Sequence, residues 1–122
     1  DDTVDMVLYK LEKEGLLDDE AFACEWAAAR ARHQIGRGRI LRELVHKGVS
    51  RDVAERAVDA LDREEGDAAA LALAQKLLHR YAGEPDAKKA MAKLMAAMAR
   101  RGYDFESAHR AVEQALEEAQ GE

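Results

Sequence analysis

Apolar side chains recur at helical spacing along almost the whole chain, and glycines interrupt the pattern at intervals. Val4, Val7, Leu8 and Leu11 form the first stripe, over Val4 to Lys13, ended by Gly15. Asp18 is placed to cap a helix reaching about Gln34, with Phe22, Trp26, Ala29 and His33 on one face. Gly36 ends it. The next helix, from about Arg37 to Lys47, carries Ile40, Leu41, Leu44 and Val45, and Gly48 is a natural C-terminal stop. Val49 can pack back on that helix, and Ser50 caps a third whose buried face is Val53, Ala54, Ala57, Val58 and Leu61, until Gly66.

The pattern then begins again. Asp67 caps a helix with Leu71, Ala74, Leu77, Leu78 and Tyr81 inward, ended by Gly83. Pro85 suits the first turn of a helix with the stripe Met91, Leu94, Met95 and Met98. Gly102 stops it, and Asp104 caps a last helix that turns Ala108, Ala111, Val112, Ala115 and Leu116 inward and frays after Ala119. The run Leu44-Val45-His46-Lys47-Gly48-Val49-Ser50 aligns with Met98-Ala99-Arg100-Arg101-Gly102-Tyr103-Asp104, and the starts at Asp18 and Asp67, and at Arg37 and Pro85, lie 49 and 48 residues apart. This is an internal repeat of three helices, each too small for a core of its own. The expected fold is all-α: tandem three-helix repeats stacked into an elongated, curved array. Residues 1–15 are the last helix of a truncated first repeat, 16–66 a second repeat and 67–122 a third.

Composition agrees: of 122 residues 48% are hydrophobic and 36% charged, with a single proline, as in an all-helical soluble protein. No apolar run approaches the ~20 residues that span a bilayer. The lone Cys24 cannot form an internal disulfide; it is expected to pack on the apolar side of its helix, and a reducing cytoplasm is the natural setting. The abrupt start, Asp1-Asp2-Thr3-Val4, suggests a piece of a longer protein.

Charge changes the picture more. The net charge of −6 argues against a protein that coats nucleic acid, yet Arg30, Arg32, Arg37, Arg39, Arg42, Lys47 and Arg51 cluster between positions 30 and 51 with Glu43 as the only acid. That stretch is the candidate contact surface, with Arg30, Arg32, Arg37, Arg39, Arg42 and Lys47 as the candidate residues. No catalytic set is present. Gly36-Arg37-Gly38 lacks the lysine and hydroxyl residue of a phosphate loop, and His33, His46, His79 and His109 are scattered, so neither metal nor cofactor is implied. Phe22 and Trp26 are better core residues than a base-stacking platform, and Met91, Met95 and Met98 better core than groove. A helix-turn-helix reader would use the helix from Ser50 to Asp62, but Asp52, Glu55, Asp59 and Asp62 oppose base contact.

Three runs carry a family resemblance: Gly15-Leu16-Leu17-Asp18-Asp19-Glu20-Ala21-Phe22-Ala23, Gly36-Arg37-Gly38-Arg39-Ile40, and Glu43-Leu44-Val45-His46-Lys47-Gly48-Val49. With Arg100-Arg101-Gly102-Tyr103 before the last helix, the chain resembles the RecX family over nearly its whole length, lacking the first two helices of the first repeat. The resemblance implies a non-enzymatic regulator, and the chain is expected to be a monomer. It would bind the RecA recombinase and the RecA–DNA filament and reduce filament extension, ATP hydrolysis, strand exchange and co-protease activity. The basic stretch would face acidic RecA surface or bound DNA. The alternative is a helical module that binds single- or double-stranded DNA directly through residues 30–51.

Overall fold

In the computed structural model, residues 18–121 are described together with Thr3, Asp5 and Met6. The expected stripe Val4, Val7, Leu8 and Leu11 lies outside the described residues. Six helices follow: α1 (Asp19–Arg32), α2 (Arg37–His46), α3 (Arg51–Asp59), α4 (Arg63–Arg80), α5 (Ala87–Arg100) and α6 (Phe105–Gln120). There is no strand among the described residues. The caps show why these helices start where they do. The Asp18 carboxylate accepts from the N–H groups of Glu20 and Ala21, Ser50 from Val53, Asp62 from Glu65, Asp86 from Lys88 and Lys89, and Asp104 from Ser107. Gly48 and Gly102 end α2 and α5 in the left-handed region, at φ 98° and 99°, where glycine escapes the Cβ clash.

Several expected boundaries move. The cap of α4 is Asp62 rather than Asp67, so Gly66 lies inside that helix instead of ending the one before. Likewise α5 starts after Asp86, with Pro85 just outside it. The second set of helices is longer than the first, 18, 14 and 16 residues against 14, 10 and 9, so a constant period cannot align both sets. On α1 the buried face is Phe22, Ala23, Trp26 and Ala27, while His33 is exposed and Cys24 lies on the exposed side rather than packed. Val45 and Met91 are exposed as well.

Against the expectation that each repeat is too small for a core of its own, each helix triplet buries a separate core. Phe22, Trp26, Ile35, Ile40, Leu44, Val49 and Val58 fill the first, with the Phe22 and Trp26 rings 6.1 Å apart and tilted. Leu73, Leu77, Leu94, Met98 and Val112 fill the second, where Ala70, Ala74, Ala108, Ala111 and Ala115 let α4 and α6 pack closely.

Backbone joins the two triplets. The Gly36 N–H donates to the Arg101 carbonyl at 2.7 Å, and the Gly38 N–H to the Gly102 carbonyl at 3.1 Å. Donors at the start of α2 thus meet acceptors at the end of α5, satisfying groups that both helix ends leave open. A Cβ on Gly36 would lie 2.4 Å from the Gly102 carbonyl carbon, and one on Gly102 2.4 Å from Arg39 Cβ. Arg101 completes the joint, donating through Nε to the Gln34 carbonyl (3.1 Å) and through Nη2 to that of His33 (2.7 Å). Among the described helices, α2 alone has a cap residue that makes no side-chain hydrogen bond; the neighbouring triplet's carbonyls serve instead.

Candidate partner-binding surface

The six candidate cations separate by what they touch. Arg30 forms a two-pronged pair with Glu43, Nε to Oε1 and Nη2 to Oε2, each 2.9 Å. Glu43 Oε1 also accepts from the Trp26 indole at 3.0 Å, and Oε2 lies 3.3 Å from Arg39 Nε. Partial burial pushes the Glu43 carboxyl up, but hydrogen bonds from Arg30 and Trp26, with the charges of Arg30 and Arg39, outweigh it and hold its pKa below the usual value. The same hydrogen bond raises Arg30 further. The single acid of the basic stretch is therefore a hub that ties α1 to α2.

Three more of the six are engaged. Arg37 donates to the Leu61 carbonyl at 2.8 Å, bracing the α3–α4 turn. Arg39 reaches the Arg100 carbonyl at 3.4 Å, alongside the joint. Lys47 sits over the Trp26 ring, 4.5 Å from its centroid, and pairs with Asp5 at 3.0 Å. Arg32 and Arg42 are exposed and have no hydrogen-bond or ion-pair partner among the described residues. The cations thus divide into four that hold the fold and two that are available.

Both available arginines line one groove. It lies between the two triplets, has a volume of about 900 Å³, and has Ala31, Ile35, Ala99, Gly102 and Tyr103 among its apolar and backbone walls. Arg63 from the start of α4 lines it too, and charge counting within residues 30–51 misses that residue. Arg101 was also outside that count; its signal in the sequence is the alignment of Arg101-Gly102 with Lys47-Gly48, which marks a helix end but not its neighbour. Phe22 and Trp26 are buried, as expected of core, and Met98 is fully buried while Met95 is partly so. The exposed side of α3 carries Asp52, Glu55 and Asp59, and its arginines are paired, Arg51 with Glu55 (2.9 Å) and Arg56 with Glu20 (2.7 Å). That face offers phosphates little. No helix among the described residues is long and apolar enough to cross a membrane.

Comparison with known proteins agrees with this architecture. Residues 18–58 match the family model for the second three-helix domain of RecX, and residues 64–112 that for its third three-helix domain. The chain is 33% identical over 119 residues to the regulatory protein RecX of Amycolatopsis mediterranei, covering 97% of this chain and 67% of that protein. It is 36% identical over 119 residues to that of Streptomyces coelicolor (97% and 63%), and 33% over 118 residues to that of Thermobifida fusca (96% and 63%). The chain thus spans roughly two thirds of the length of these relatives. The crystal structure of RecX from Lactobacillus salivarius shares the fold, with a TM-score of 0.76 at 19% identity over 94% of this chain and 75% of that one.

Proposed function

We propose that this chain, which belongs to the RecX family of regulatory proteins, binds the RecA recombinase and its filament on DNA as a non-enzymatic inhibitor in the cytoplasm. Occupying the filament would slow its extension and so lower ATP hydrolysis, strand exchange and co-protease activity together. The observation that carries this reading is the groove between two backbone-locked helix triplets, with Arg32 and Arg42 left without internal partners beside it. Two triplets held at a fixed relation present several modest contacts at once, and linked contacts multiply affinity when their spacing suits a repeating partner.

A second reading is direct DNA binding through residues 30–51, favoured by the density of cations there. Arg30, Arg37, Arg39 and Lys47 weigh against it, because each already has an internal partner. If Arg32 and Arg42 alone neutralised phosphates, log K would fall against log salt with a slope of only about −1.4 to −1.8. RecA's DNA-dependent ATP hydrolysis, followed with substoichiometric amounts of the chain, tests the first reading. Progressive inhibition, with no binding to free DNA at physiological salt, is expected; tight DNA binding without any effect on RecA would favour the second.

A further inference from the structure

The groove holds more unanswered positive charge than its lining suggests. Its acids are mostly committed. Asp62 and Asp104 cap α4 and α6, and Asp67 lies 3.5 Å from Arg110. The Ser107 N–H, joined by the charges of Arg110 and Arg37, holds the Asp104 carboxyl below its usual value against the effect of burial. Of the five lining arginines, Arg37 and Arg110 have partners within the chain. Arg32, Arg42 and Arg63 have none among the described residues, and Glu65 is the only lining acid left to oppose them. Three free cations converge in a chain whose net charge is −6. They come from three helices and from both triplets, held at that relation by the glycine joint, by the Arg101 bonds to His33 and Gln34, and by the Arg37 bond to Leu61.

We propose that this groove is the docking site for an acidic, extended protein segment, whose carboxylates pair with Arg32, Arg42 and Arg63 and whose small side chains rest on the alanine-lined floor. On the reading above, which this proposal deepens, that segment belongs to RecA. The volume suits a few residues of peptide, falling within the 300–1,000 Å³ of ordinary ligand sites. A nucleic-acid strand fits less well. Duplex DNA carries a charge about every 1.7 Å of its axis, and a phosphate backbone entering here would meet Glu65, Asp67 and Asp104 as well as the arginines. A peptide can space its carboxylates to avoid them. Arginine forks also pair two-pronged with carboxylates, which gives geometric selectivity beyond net charge.

The test is an amide chemical-shift titration of the full chain with two probes, a capped ten-residue peptide alternating glutamate and alanine and a ten-residue thymidine oligonucleotide. The proposal expects saturable shifts from the peptide at Gly38, Gly66 and Gly102, lost in Arg32→Glu/Arg63→Glu, with weaker shifts from the oligonucleotide. Shifts elsewhere, none at all, or stronger shifts from the oligonucleotide would overturn it. In parallel, Arg63→Glu should weaken binding to RecA filaments at least tenfold while leaving the far-UV circular dichroism unchanged. If the unaltered chain binds RecA and Arg63→Glu binds equally well, the groove assignment fails and the RecA reading stands. If the peptide maps to the groove but RecA is not bound, the RecA reading fails and the groove stands.

Discussion

Replacing Gly36 with alanine isolates the joint between the two helix triplets. Gly36 sits at φ −79° and ψ 163°, angles open to any residue, so alanine carries no backbone penalty there. By restricting the unfolded chain it would even stabilise by about 0.4–1 kcal/mol if nothing stood in the way. The structure puts something there: the new Cβ would lie 2.4 Å from both the Gly102 carbonyl carbon and the Tyr103 nitrogen, which are backbone atoms with little room to yield. Separating the two sides of the joint breaks the Gly36–Arg101 and Gly38–Gly102 hydrogen bonds, worth about 1 kcal/mol each, and loosens the two Arg101 contacts, worth about 1.5 kcal/mol or more each. Partial solvation of the freed groups reduces the sum, and a net loss of about 2–4 kcal/mol is expected. Gly48→Ala is the control. It has φ 98° like Gly102, yet no atom within 4 Å of its added Cβ, so it should lose only the left-handed penalty of about 1–2 kcal/mol. Urea unfolding followed both by Trp26 fluorescence, which reports the first core alone, and by circular dichroism, which reports all helices, is the assay. In Gly36→Ala the two transitions should separate as the triplets uncouple. A Gly36→Ala variant as stable as the parent, with coincident transitions, would refute the joint.

How far the chain could be understood before its structure was known follows from the same residues. The caps Asp18, Ser50 and Asp104 and the stops Gly48 and Gly102 act over three or four residues, and they stand where the sequence pattern puts them. The start of α4 was hidden because Gly66 looks like a stop, whereas the Asp62 cap with Glu64 and Glu65 in the first turn stabilises a helix that absorbs it. Spacing puts Ala29 and His33 on the apolar face of α1 with Cys24 near it, whereas Ala23 and Ala27 carry the buried contact and Cys24 is exposed. Charge was the least legible. Counting signs along residues 30–51 gives a basic patch, but whether a cation is free depends on partners such as Glu43, Leu61 and Arg100 that only tertiary structure brings near. The joint itself shows in the sequence only as glycines, whose need for close approach depends on a neighbour 66 residues away, from Gly36 to Gly102.

Two further outcomes follow from the hub and the caps. Because the Glu43 carboxyl titrates below its unfolded value of about 4.3, its contribution is fully present above that pH and disappears as pH falls through the lower folded value. Glu43→Gln should therefore cost about 1–3 kcal/mol at pH 7 and flatten the loss of stability between pH 5 and 3, as measured by urea unfolding at each pH, leaving the part due to Asp104. Asp62→Ala should lose about 1 kcal/mol, while Asp67→Ala should stay within about 0.5 kcal/mol; equal effects in thermal melts would place the α4 cap elsewhere.

The proposed division is between cations with internal partners, which hold this fold, and cations without them, which would meet the partner. It is tested most directly by RecA's DNA-dependent ATP hydrolysis in the presence of Arg32→Glu/Arg42→Glu, with the variant's stability measured on the same sample. The variant is expected to keep a stability within about 0.5 kcal/mol per substitution of the parent and to lose inhibition. A variant that still inhibits as strongly as the parent, or one that unfolds, would contradict it.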